Sequence, residues 1–210
     1  MTTSARLERE HRIAEAAYEL LAQNGYKATS MLNIAKRAKA SNETLYRWYG
    51  NKQGLFKGLV ETNAARVAEL LEAALEDGKD PTQTLTQAGP LLVELVTSQK
   101  AIALNRAAAA DADETGLLGQ ALAQAGRDRI APLLVQLLEQ AIMAKVIHLN
   151  STETVRDAAD TYISLLIGDL QIRRVTGAIE PLTPKQISER AARALRHFLR
   201  LYSPHSSAQR

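Results

Sequence analysis

Cysteine is absent from the 210 residues, which excludes a disulfide framework, a thiolate nucleophile and a cysteine-ligated zinc site. Long apolar runs are missing too. Glu94 interrupts LLVELV and Asp169 closes YISLLIGD, so no segment approaches the ~20 apolar residues of a membrane span. The start, MTTSARLEREHR, is charged and has no apolar h-region, so no secretory signal is read there. Strand-like alternation is never sustained. These absences, with 46% hydrophobic and 23% charged residues, predict a soluble cytoplasmic protein, without a membrane partner, that builds a globular core.

Aromatics are scarce, at 4%, and unevenly placed. Tyr18, Tyr26, Tyr46, Trp48, Tyr49 and Phe56 all fall within residues 1–66. Charge is uneven in the same sense: residues 1–66 carry 11 Lys/Arg against 6 Asp/Glu, and the remainder carries 15 against 17. Between 27 and 57, Lys27, Lys36, Arg37, Lys39, Arg47, Lys52 and Lys57 face one acid, Glu43. A compact basic module with interleaved aromatics is the electrostatic footprint of a phosphate-binding surface. A merely solvated basic face would carry the same charge.

The segments read at helical period, which makes the fold class all-α. A first helix with Ile13, Ala17, Leu20 and Leu21 on one face ends at Asn24-Gly25. Ser30 caps a short second helix carrying Met31, Ile34, Ala35 and Ala38, and Ser41 caps a short third one with Thr44, Leu45, Tyr46 and Trp48. Two short helices on a tight turn form a helix-turn-helix candidate at 30–49. A fourth helix from Asn51 crosses a domain boundary near residue 66 and couples the two parts. The domains are then 7–66, 67–202 and a mobile tail, 203–210. Helices are predicted over 81–98, 100–110, 114–146, 151–176 and 184–202, with Gly89-Pro90 and Pro132 kinking or dividing theirs.

Gly25-Tyr26, Thr29-Ser30, Ile34-Ala35, Thr44-Leu45-Tyr46, Lys52 and Leu55-Phe56 together resemble the DNA-binding domain of the TetR family of transcriptional repressors. Three places depart from that pattern: Lys39-Ala40 replaces Gly-aliphatic in the turn, Asn42-Glu43 replaces Lys-Gly, and Tyr49 replaces Phe. The resemblance implies a repressor that binds a double-stranded DNA operator as a homodimer, with a C-terminal domain for dimerisation and an unknown small-molecule effector. Carried onto this chain, the DNA-binding residues are Thr29, Ser30, Lys39, Ser41, Asn42, Glu43, Thr44, Tyr46, Arg47, Tyr49 and Lys52.

Within that set, Ser41, Asn42 and Glu43 open the helix that enters a major groove. Asn can bond adenine and Glu can accept from cytosine. Glu43 can equally favour the helix macrodipole or pair with Arg47. Thr44 and Tyr46 offer hydroxyls to phosphate, and Lys52 joins the free N–H groups of the fourth helix in an anion site. Leu45 and Trp48 are read as packing residues.

For an effector, Leu92, Leu104, Leu138 and Ile142 could line a pocket, with Asn105, Tyr162 and Asp169 as polar groups. Each could instead be core. For the dimer, the apolar stripes of the last two helices suggest Leu166, Leu170, Ala191, Leu195 and Phe198. Asp111, Asp113 and Glu114 read as a capping turn or, less simply, a cation site. The histidines, His11, His148, His197 and His205, are scattered, and no HExxH, GxGxxG, P-loop or GxSxG occurs. No metal or cofactor is expected and the protein is not read as an enzyme. The rival readings are a helical enzyme and an architectural DNA-binding protein without a ligand.

Overall fold

The computed structural model describes residues 3–203, and every regular element among them is helical. The predicted tail from residue 204 onward lies outside the described residues. In chain order the helices are α1 (Thr3–Ala28), α2 (Met31–Arg37), α3 (Asn42–Tyr49), α4 (Lys52–Glu76), α5 (Pro81–Thr97) and α6 (Gln99–Asp111). Then come α7 (Leu117–Gln124), a π-helical turn (Ala125–Ile130), α8 (Ala131–Met143), α9 (Val155–Ile167), α10 (Leu170–Val175) and α11 (Pro184–Leu201). Among the described residues no helix is long and apolar enough to cross a membrane.

Two compact units result. One holds the described residues through Asn63 together with Gln99–Gln124; the other holds Ala64–Ser98 and the described residues from Ala125 onward. The sequence reading put the boundary near 66 and all of 67–202 in one domain; by packing, α6 and α7 go with α1 instead. The reason is the apolar face of α6: Ala101, Ile102, Leu104 and Ala107 are all buried, and α1 is its main neighbour in that unit.

Inside the first unit, Ile13, Ala17, Ile34, Leu45, Leu55 and Phe56 are wholly excluded from solvent. Local polar groups set where its helices begin and end. Gly25 leaves helical geometry at φ 73° and ψ 174°, so α1 breaks where Asn24-Gly25 predicts. Ser30 Oγ accepts from the Asn33 N–H at 3.2 Å, and Ser41 Oγ accepts from the Thr44 N–H at 3.1 Å, the two expected caps. At the end of α6 the buried Asp111 accepts from the Thr115 hydroxyl at 2.7 Å and from the Leu118 N–H at 3.3 Å. Its carboxylate therefore shapes the turn into α7, and Glu114 pairs with Lys27 at 2.9 Å.

In the second unit Leu71, Leu85, Val93, Leu137, Leu138, Tyr162, Leu166 and Phe198 share one core. Gly89 lets α5 approach its neighbours: a Cβ there would lie 3.1 Å from Tyr162 Oη and 3.2 Å from Ala191 Cβ. That contact on both sides accompanies a helix that continues through Pro90 instead of dividing. The predicted helix 114–146 starts later, at Leu117, because Gly116 turns at φ 65°, and runs as three successive elements with Pro132 at the start of the last, α8. The predicted helix 151–176 is two. Gly168 at φ 50° parts α9 from α10, and Arg190 Nε donates to the Leu166 carbonyl left open there, at 2.8 Å.

The stripes assigned to a dimer face inward. Leu166 and Phe198 are 0% exposed, Ala191 4% and Leu195 7%, while Leu170 is half-buried. Phe198 lies between Tyr162 and Tyr202, with ring centroids 5.1 and 4.9 Å away. An amphipathic stripe registers burial but not the partner it is buried against, and here the partner is the same chain.

Candidate nucleic-acid interface

Ser41, Asn42 and Glu43 form the exposed first turn of α3, and Tyr46 and Arg47 are exposed beyond them. Ser41 Oγ is held by the Thr44 N–H and stands 2.8 Å from Thr44 Oγ1. These bonds leave Asn42 and Glu43 outside the capping network. Beneath this turn Leu45 is completely buried, so α3 rests on a rigid apolar floor.

Thr29 and Thr44 are corrections to the sequence reading. They are 1% and 6% exposed; the Thr29 hydroxyl donates to the Gly25 carbonyl at 2.8 Å, and Thr44 is engaged with Ser41. Both hydroxyls are occupied in building the motif and are not presented to phosphate. Ser30 is exposed and serves as the α2 cap.

Lys52 and Tyr49 are half-buried. The Lys52 ammonium donates to the Tyr26 carbonyl at 2.5 Å and lies 3.9 Å from the centroid of the Tyr26 ring, which fixes its position at the start of α4. Burial lowers its pKa, against the fields of Glu114 and Asp111. Asn51 Oδ1 accepts from the Gly54 N–H at 2.8 Å, so one of the free N–H groups assigned to the anion site is already capped. Burial, with the field of Glu10, raises the Tyr49 phenol.

Sequence reasoning missed how the basic set divides. Arg37 donates to Glu19 at 2.7 Å, pinning α2 to α1, and Lys27 is paired with Glu114. Lys36, Lys39, Arg47 and Lys57 remain exposed. The Arg6 guanidinium lies 5.5 Å from the Trp48 ring centroid, a contact between distant parts of the sequence that no local pattern signals. Gly54 was missed as well: a Cβ there would be 2.0 Å from the Tyr49 carbonyl oxygen.

The turn between α2 and α3 places Lys39 at φ 51°, where a non-glycine residue costs about 1–2 kcal/mol. Lys39→Gly is therefore expected to raise unfolding stability by about 1 kcal/mol after the extra flexibility of glycine is deducted. It should also weaken binding to every DNA sequence, because an exposed charge is removed. Urea denaturation and DNA titration at one salt concentration check the two halves separately.

Of the residues suggested for an effector, Leu92 lines a cavity of about 320 Å³ in the second unit. Leu138 and Tyr162 are core, at 0% and 1% exposure, with Tyr162 Oη donating to the Leu85 carbonyl at 3.1 Å, and Ile142 packs against that core. Asp169 is exposed at the start of α10 and 3.6 Å from Arg173. Leu104 and Asn105 belong to α6 in the other unit, where Asn105 Nδ2 donates to the Ala101 carbonyl.

Known proteins carry the same two parts. Residues 13–59 match the family described as bacterial regulatory proteins, tetR family, and residues 83–204 match the AefR-like transcriptional repressor, C-terminal domain. The HTH-type transcriptional repressor KstR of Rhodococcus jostii is 26% identical over 190 residues, covering 80% of this chain and 87% of that protein. The regulator YvkB of Bacillus subtilis is 34% identical over 91 residues, 43% of this chain and 47% of its own length. Among solved structures, a TetR-family regulator from Mesorhizobium loti covers 97% of this chain and 100% of its own at a TM-score of 0.75 and 23% identity. The flavonoid-responsive regulator FrrA covers 94% and 98% at a TM-score of 0.65 and 26% identity. With more than half of its length matched by one family description, the chain belongs to the TetR family and is a DNA-binding transcriptional regulator.

Proposed function

We propose that this regulator is a cytoplasmic, ligand-responsive repressor that binds a pseudo-palindromic operator as a homodimer and has no enzymatic activity of its own. The observation that carries the reading is the exposed first turn of α3, Ser41 to Glu43, seated on buried Leu45. An α-helix offered by its N-terminal turn fits a major groove ~12 Å wide. Two copies then meet half-sites ~34–36 Å apart or a multiple of that. DNA binding is assigned to 7–66 and effector binding with dimerisation to 67–202. Because Leu166, Ala191, Leu195 and Phe198 are occupied in one chain's core, the dimer contact is assigned to outward residues of α10 and α11, Ile172 and Leu201, 58% and 59% exposed.

Support for an effector comes from the second-unit cavity. Leu92, Val96, Leu134, Ile163 and Ile167 make its walls apolar, and Arg156 and Asp160 stand one turn apart on its α9 side. Its size lies at the lower end of ligand sites, and the structurally similar FrrA is flavonoid-responsive.

In vitro selection of bound DNA followed by titration of variants tests the assignment. Asn42→Ala and Glu43→Ala should relax preference at particular base pairs, by about 1–3 kcal/mol each. Tyr46→Phe should weaken all sequences alike. Lys52→Ala should do so while reducing the magnitude of the salt slope by ~0.9 for each phosphate it no longer neutralises. Equal weakening on selected and unrelated DNA from Asn42→Ala would overturn its base-reading role. Light scattering at micromolar concentration that finds only monomer would overturn the homodimer.

A further inference from the structure

The second-unit cavity has an apolar floor and a charged mouth. Leu92, Ile130, Leu134 and Ala159 line it and are all buried, whereas Arg156, Asp160 and Gly126 line it and are exposed. Among the described residues that line it none is aromatic, so a planar ring finds no stacking partner there, while a flexible aliphatic chain gains dispersion contacts along the walls. One wall is the π-helical turn Ala125–Ile130, which contributes Gly126 and Ile130; turns of this kind recur at functional sites. A Cβ added at Gly126 would meet nothing within 4 Å, so the mouth is open beside it.

The charges at the mouth select the head group. Arg156 and Asp160 are four residues apart on α9 and so lie on one face of the helix. Among the described residues neither side chain is joined to another by a hydrogen bond or an ion pair. A guanidinium can only donate, and an ionised carboxylate can only accept. A ligand carboxylate drawn to Arg156 would face Asp160, and a ligand ammonium drawn to Asp160 would face Arg156. Either ion also loses hydration beside the apolar walls. A neutral head with an acceptor and a donor on adjacent atoms satisfies both residues, its carbonyl accepting from Arg156 and its N–H donating to Asp160.

Taking this cavity as the effector site, we propose that its ligand class is the aliphatic carboxamide. The amide head lies between Arg156 and Asp160, and the alkyl chain lies against Leu92, Leu134 and Ala159.

The test is calorimetric titration of the full chain with octanamide, octanoate and octylamine, which differ chiefly in the charge of the head. Octanamide should bind tightest, about threefold or more ahead of either ion, the scale set by exposed charges. Removing one charge at a time should change the order in opposite directions: Asp160→Asn should make octanoate the tightest probe, and Arg156→Met should make octylamine the tightest. Gly126→Leu fills the mouth and should weaken octanamide about tenfold. Gly119→Leu, at an exposed position of α7 in the other unit where a Cβ also meets nothing within 4 Å, should leave octanamide binding unchanged. Each variant is first checked for native helicity.

Titration of selected DNA in the presence of octanamide reads the effector role separately. Selective binding of octanamide that leaves DNA affinity unchanged would sink that role and keep the carboxamide assignment. Octanoate or octylamine binding tightest to the parent chain and lowering DNA affinity would do the reverse. Equal affinity for the three probes, octanamide binding that survives Gly126→Leu, or no binding of any probe would also overturn the carboxamide assignment.

Discussion

Phe198→Ala is expected to lower unfolding stability by about 3–5 kcal/mol, the range for truncating a buried aromatic. The ring is 0% exposed, and its removal takes packing from Tyr162 and Tyr202 at once. Tyr202 is itself tied in, its carbonyl accepting from the His148 N–H at 2.8 Å, so little of the surroundings can collapse into the void. The outcome separates two readings of the stripe on α11. A residue of a dimer seam would, when truncated, release folded monomers; a residue of the chain's own core would produce a cooperative loss of structure at lower denaturant. Denaturant titration alongside light scattering reads both, and a folded monomer with unchanged stability would refute the core assignment.

Gly54→Ala should be nearly as damaging, at about 3 kcal/mol, although it adds a single methyl group. The methyl would occupy a point 2.0 Å from the Tyr49 carbonyl oxygen. That atom is backbone at the last residue of α3, and Gly50 at φ 74° is already committed to the turn that follows. Neither side can swing away, so α3 and α4 must separate. DNA affinity should fall together with stability. Gly58→Ala serves as the control, because a Cβ there would meet the Tyr49 ring at an ordinary 3.6 Å. Thermal unfolding of the two variants beside the parent chain decides it; a Gly54→Ala protein melting with the parent would sink the argument.

The parts of this fold that were legible are those decided within a few residues. Ser30, Ser41 and Thr183 bond to N–H groups three positions ahead, and a reader of the chain sees both partners together. The all-helical class followed from period alone. Illegible features depend on approach between distant segments. Thr29 looks like an available hydroxyl until its burial is known, and Gly54 looks like an ordinary helix residue until Tyr49 is placed beside it. Leu166 and Phe198 show a third kind of difficulty, because their spacing is the same whether the stripe meets its own chain or another. The effector residues show a fourth. Leu92 alone of them lines the second-unit cavity, since an aliphatic side chain on a helix carries no mark that separates wall from filling.

The placement of α6 and α7 bears on how this regulator can be taken apart. The unit that holds the helix-turn-helix is discontinuous: the chain leaves it after Asn63 and returns for Gln99–Gln124 before leaving again. A fragment cut after the helix-turn-helix would strip the α1 face of the cover that Ile102, Leu104 and Ala107 provide, and present that face to water. A hybrid regulator made by grafting another protein's sensor at residue 66 would bring in foreign versions of both covering helices. The graft that respects the packing exchanges residues 64–98 and everything from 125 onward while retaining 99–124, so in this molecule the two packing units are interleaved along the gene rather than laid end to end.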